Sequence, residues 1–169
     1  LGIWAEEIDS LTDDESNGVR GISGNALGLR GPYRARELCE HIHLEGATAL
    51  ASYESDFYAG QPAVTVNHVG EGKAWYIASR NDLAFHRDFY GALIAQLELP
   101  RALAVDLPPG VTAQRRTDGE QSFIFLQNFP AQTQSVTLPA GISDLLDGTP
   151  LSGALTLEPW DCRVLCGAY

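Results

Sequence analysis

Three side chains in the stretch CEHIHLE, namely Cys39, His41 and His43, have the types and the alternating spacing of a metal site. In an extended strand all three point to one face, and zinc accepts a thiolate with two imidazoles when a fourth ligand or water completes the set. Same-face neighbours on a strand lie about 7 Å apart, so consecutive ones spread along a face instead of around a point. The expectation is therefore that Cys39, His41 and His43 bind no structural metal. The same spacing denies Cys39 the hydrogen-bond reach to His41 that an activated thiol needs.

Other candidate chemistry is thin. DDESNG, residues 13–18, sets Asp13, Glu15, Asn17 and Gly18 at calcium-loop positions 1, 3, 5 and 6, but Gly24 stands where the bidentate glutamate is required. An EF-hand is excluded. Glu6, Glu7 and Asp9 carry carboxylates suited to acid-base work, yet no partner motif places them, and they read as charged surface. GISGNALGLRG, residues 21–31, fits neither phosphate-binding glycine pattern, and the chain has no G-x-S-x-G elbow. No catalytic, cofactor-binding or metal-ligating residue is assigned, and no cofactor is expected. Among the aromatics, Trp75, Tyr76, Phe123, Phe125 and Phe129 lie in alternating runs that read as core. Trp160 in LEPWDC follows a proline and is the candidate for an exposed ring, of the kind carbohydrate-binding modules stack on sugar faces.

The elements that would carry these residues change character along the chain. Residues 12–32 are rich in Gly, Asp, Asn and Ser and predict a long loop. Four strand-like runs follow, over 35–44, 47–53, 63–69 and 73–79, with the glycine turn at 70–72 making a hairpin of the last two. Phe85, Phe89, Leu93 and Leu97, with Tyr90 and Ile94 beside them, recur at helical spacing. Asn81 or Asp82 caps the start and Leu99-Pro100 ends the run. Beyond it only short strands are predicted, separated by turns at 108–110, 118–119, 139–141 and 147–148, which suits a small antiparallel sandwich or barrel. A domain boundary is expected near 99–106.

Bulk properties exclude whole classes. Twenty-two acidic against 11 basic residues give a net charge of −11, which repels nucleic-acid phosphates and anionic membrane surfaces. No apolar run approaches the roughly 20 residues that span a bilayer. Three cysteines, an odd number, make no disulfide framework, and Cys162 and Cys166 on one strand would stand about 13 Å apart. A reducing cytoplasm is expected.

Taken in order, LGIWAEEIDSL, ARELCEHIHLEGATALASYESDFYAGQPAVTVNHVGEGKAWYIASR, FIFLQNFPAQTQSVTLPAG and DLLDGTPLSGALTLEPWDCRVL resemble the C-terminal part of glycoside hydrolase family 42 β-galactosidases over nearly the whole chain. The resemblance implies an α/β part followed by an all-β part. Residues 1–100 would end a trimerisation domain of flavodoxin-like, amidotransferase-like fold, and 101–169 would form a small antiparallel C-terminal β-sandwich. It implies a bacterial, cytoplasmic, retaining enzyme whose two glutamates lie on an upstream barrel, so the chain would be a non-catalytic piece joined in mid-domain, without methionine and inactive alone. The implied partners are that barrel and two further copies in a homotrimer, with no nucleic acid and no membrane. A carbohydrate-binding module using exposed aromatics is the alternative reading. An amidotransferase is disfavoured for want of a Cys-His-Glu set.

Overall fold

The computed structural model describes residues 1–167, which divide into two compact units, Leu1–Leu99 and a second beginning at Pro100. The first unit contains β1 (Ile3–Ser10), β2 (Asn17–Gly21), β3 (Tyr33–Leu44), β4 (Thr48–Tyr53), β5 (Pro62–Val69), β6 (Gly72–Ile77), β7 (Ser79–Asn81) and α1 (Leu83–Gln96). Every strand pairing is antiparallel. The expected flavodoxin-like α/β domain is therefore corrected. Parallel strands need crossovers of a dozen or more residues, usually helical, whereas short loops join β3 to β4 and β5 to β6. The one helix among the described residues follows the last strand of this unit.

The sheet closes on itself. β3 pairs with β2, β2 with β4, β4 with β5 and β5 with β6, while β7, separated from β6 by Ala78 alone, returns to β3. Ala78 is the hinge of this circuit: its N–H donates to Ala63 on β5 at 2.9 Å and its carbonyl accepts from the Glu40 N–H on β3 at 2.6 Å. The buried Tyr53 hydroxyl donates to the same carbonyl at 2.7 Å. Tyr76 on β6 donates to the Glu40 carboxylate, tying the seam again. Val19, Tyr33, Ala35, Cys39, Leu50, Tyr53, Tyr58 and Val64 fill the interior.

The segment predicted as an unbroken loop contains β2, whose Val19 is fully buried. Gly21 is required there, because a Cβ would lie 1.8 Å from the Leu29 carbonyl oxygen. The helix begins where its chemistry dictates: the Asp82 side chain accepts the Phe85 N–H at 2.9 Å and the Arg34 N–H at 3.0 Å, joining the cap to β3. Phe85 and Phe89 are buried and Leu93 packs against the same core, whereas Tyr90, Ile94 and Leu97 are about half exposed. The apolar stripe thus seats only the first turns.

The second unit is one antiparallel sheet of β8 (Val111–Thr117), β9 (Ser122–Asn128), β10 (Gln134–Asp144), β11 (Pro150–Leu157) and β12 (Cys162–Gly167), in the order β11-β10-β12-β9-β8. A bulge between Leu138 and Ile142 bends β10, so its first half pairs only with β11 while its second half also pairs with β12. The predicted turn at 139–141 is this bulge. The two arms enclose Ile124, Leu126, Val136, Leu138, Leu157 and Leu165 in a sandwich-like core. On β9 the buried face carries Ser122, Ile124, Leu126 and Asn128, so Phe123 and Phe125 are only partly buried and Phe129 is exposed, contrary to their reading as core. No helix among the described residues is long and apolar enough to cross a membrane.

Two outcomes follow from the seam at Ala78. Tyr53→Phe removes one of the two hydrogen bonds on the Ala78 carbonyl and should cost about 0.5–1.5 kcal/mol in urea denaturation. Its hydrogen bond to Glu40, and then burial, push the Tyr76 hydroxyl from its ordinary 10.0 up to about 12. The folded state holds that proton more tightly than the unfolded chain, so the contribution is whole below pH 10 and is lost as pH rises through about 12. Urea titrations across that window should show stability falling, with a shallower fall in Tyr76→Phe.

Candidate functional site

The polar residues of greatest chemical interest lie where β1 pairs with β3. The register runs Trp4 opposite His43 and Ala5 opposite Ile42, then Glu7 opposite His41, which leaves Glu6 as the extra residue of a bulge. Such a bulge turns the side chain of the inserted residue toward its neighbours across the ladder. Glu6 Oε2 lies 2.6 Å from His43 Nε2 and 3.2 Å from His41 Nδ1. Hydrogen bonding from His43, opposed by some burial and helped by the nearby His41, holds the Glu6 carboxyl below the usual range. Trp4 stacks on His43 with ring centroids 5.0 Å apart, and Phe57 meets His41 edge-on at 6.1 Å.

The predicted spread of Cys39, His41 and His43 along one face describes Cys39 only. Cys39 is buried in the core, and burial raises its thiol pKa, which suits an inert thiol and not a nucleophile. The two histidines instead converge on a carboxylate from the neighbouring strand. Asp9, also read as surface charge, accepts the Tyr58 hydroxyl at 2.7 Å. Burial is also the main reason that the Tyr58 hydroxyl holds its proton more firmly than usual. Glu7 is exposed. The sequence does not link Glu6 to the histidines, because the link requires the β1–β3 register and Glu6 and His43 lie 37 residues apart; the local hint is the alternation of His41 with His43.

The remaining candidates stand singly. In the acidic loop the carboxylates of Asp14 and Glu15 both turn back to Thr12, and the Asn17 side chain bonds Ser55, so that segment is knitted to itself and to the following strands. Trp160 is 68% exposed at a turn, with φ of 63°, and has no aromatic ring stacked beside it among the described residues.

Comparison with known proteins decides the family. The family model for the β-galactosidase trimerisation domain matches residues 1–100, and that for the β-galactosidase C-terminal domain matches 110–166. The chain belongs to the glycoside hydrolase family 42 β-galactosidases. Among curated members, β-galactosidase Pbg of Clostridium perfringens is 43% identical over 97% of this chain, and BglY of Alicyclobacillus acidocaldarius 44% identical over 97%. The chain spans 24% of each of those relatives, so it corresponds to their C-terminal part. Among solved structures, the β-galactosidase from Rahnella sp. R3 is 60% identical with a TM-score of 0.87 over 98% of this chain and 24% of its own. That from Bacillus circulans is 32% identical, also with a TM-score of 0.87, over 99% and 25%.

For this family member the Asp9–Tyr58 bond fastens β1 to the loop after β4. Tyr58→Phe should destabilise the first unit by about 1–2 kcal/mol in urea denaturation, while Glu7→Gln, at an exposed position, should stay within about 0.5 kcal/mol.

Proposed function

We propose that this chain is a non-catalytic C-terminal portion of a bacterial β-galactosidase that hydrolyses terminal β-D-galactosides, and that its first unit serves subunit assembly. The observation that carries the reading is the ordered match of residues 1–100 and 110–166 to the trimerisation and C-terminal domains of that family. Residues 1–100 are the end of the trimerisation domain and 101–169 the C-terminal β domain. The reacting glutamates belong upstream, on a barrel that lies in the three quarters of the relatives outside this match.

Five carboxylates of the first unit fit this division of labour. Retaining hydrolysis needs two carboxyl groups about 5–5.5 Å apart, one free to donate a proton and one free to attack. Here Glu6 is engaged by two histidines, Asp9 by Tyr58, Glu40 by Tyr76, Glu54 by Arg20 and Glu37 by Arg80. Each holds two segments together. The assembled parent is a homotrimer, and exposed apolar residues on the outermost strand, Trp4 and Ile8, supply surface for its contacts. Three free cysteines support a cytoplasmic location.

The purified chain should show no turnover of a chromogenic β-galactoside, whereas the longer parent should turn it over and scatter light as a trimer. Turnover by the chain that Glu6→Gln abolishes would overturn the non-catalytic reading. A monomeric parent would overturn the assembly reading.

A further inference from the structure

We propose that Glu6, His41 and His43 form a three-ligand site for a divalent transition-metal ion of the zinc type, with water in the fourth position. One ligand atom from each of Glu6, His41 and His43 lies within 4.8 Å of the other two, and Glu6 Oε2 stands 2.6 Å from His43 Nε2 and 3.2 Å from His41 Nδ1. In a tetrahedral zinc site with bonds of about 2.0–2.1 Å, ligand atoms are separated by about 3.3–3.4 Å. The Glu6–His41 edge therefore has nearly the required length, the Glu6–His43 edge opens by less than about 1 Å, and the His41–His43 edge lies within the 4.8 Å that bounds the group. Two imidazoles and one carboxylate are a donor set zinc takes with an open coordination position.

The surroundings favour the ion in three ways. Glu6 sits in a β-bulge, where the backbone lets its side chain shift without breaking the ladder on either side. His43 is held by stacking on Trp4 and His41 by the edge-on contact with Phe57, so both rings are oriented before any ligand arrives. The Glu6 and His43 side chains are 44% and 43% exposed, which gives the ion a path and leaves room for water, while the His41 side chain is 17% exposed and anchors the inner side. His41 Nε2 is buried without a hydrogen-bond partner, so Nδ1, facing Glu6, is the nitrogen through which this ring acts.

On binding, each imidazole presents its unprotonated nitrogen to the ion and keeps its single proton on the other ring nitrogen, and any second ring proton passes to solvent. The ion links β1, the outermost strand of the sheet, to β3. Its effect is to fix the strand edge, and no hydrolytic role is assigned to it.

The test uses the tag-free chain, stripped with a chelator and titrated with zinc chloride by calorimetry. One zinc per chain is expected, with at least about tenfold weaker binding in Glu6→Gln and in His43→Gln and no change in Cys162→Ser or Cys166→Ser. Zinc should raise the melting temperature of the wild type and not of the two site variants. As a check that needs no variant, zinc should shift the ring resonances of His41 and His43 and leave those of His68 and His86. Absence of stoichiometric binding, unchanged affinity in both site variants, loss of binding in a cysteine variant, or shifts confined to His68 and His86 would each overturn the proposal.

Discussion

The first unit depends on β3 being paired along both edges. Its early residues pair with β2 on one side and with β7 on the other, and its later residues pair with β1. A strand held in this way leaves few backbone donors or acceptors unpaired, which is what a buried segment requires. The circuit closes only because the carbonyl and N–H of Ala78 serve two different strands, and Ala78 is fully buried. The return of β7 covers the edge of β3 opposite β2 and leaves β1 outermost. Glu6 reaches His41 and His43 because β1 has that outer place and carries a bulge there.

What the sequence shows plainly is local chemistry. The glycine turn between β5 and β6 and the Asp82 cap of α1 are each fixed by residues within a few positions of one another. What it hides is non-local. β1 carries two carboxylates side by side at its centre and β2 lies among glycines, so neither shows the alternation of a half-buried strand, although Val19 is fully buried. The convergence of Glu6 on two histidines, the farther 37 residues along the chain, depends on the register between β1 and β3 and on one inserted residue in it. The flavodoxin-like expectation came from the family resemblance of a whole domain and not from these residues, whose short connections already disfavour parallel strands. On β9 the alternation was legible but its phase was not: Ile124 and Leu126 face the core, and the larger Phe123 and Phe125 take the other side.

The family relationship and the polar contacts fit a single division of roles. Under the proposed function, chemistry that needs unengaged carboxylates is assigned upstream, while Glu6, Asp9, Glu37, Glu40 and Glu54 fasten neighbouring segments of the first unit through histidines, tyrosines and arginines. With a net charge of −11, like-charged copies repel one another until specific contacts or salt offset the charge. The proposed assembly would therefore rest on shape and apolar contact more than on charge.

Native-state amide hydrogen exchange tests the closed circuit around β3 most directly. The Glu40 amide, bonded to the Ala78 carbonyl, and the Ala78 amide, bonded to Ala63, should be among the slowest in the first unit and should exchange only through its global opening, while unpaired amides on the outer edge of β1 exchange quickly. If the Glu40 and Ala78 amides exchange as fast as those of the outer edge, at rates that do not follow overall stability, the circuit is open in solution and the account of β3 fails.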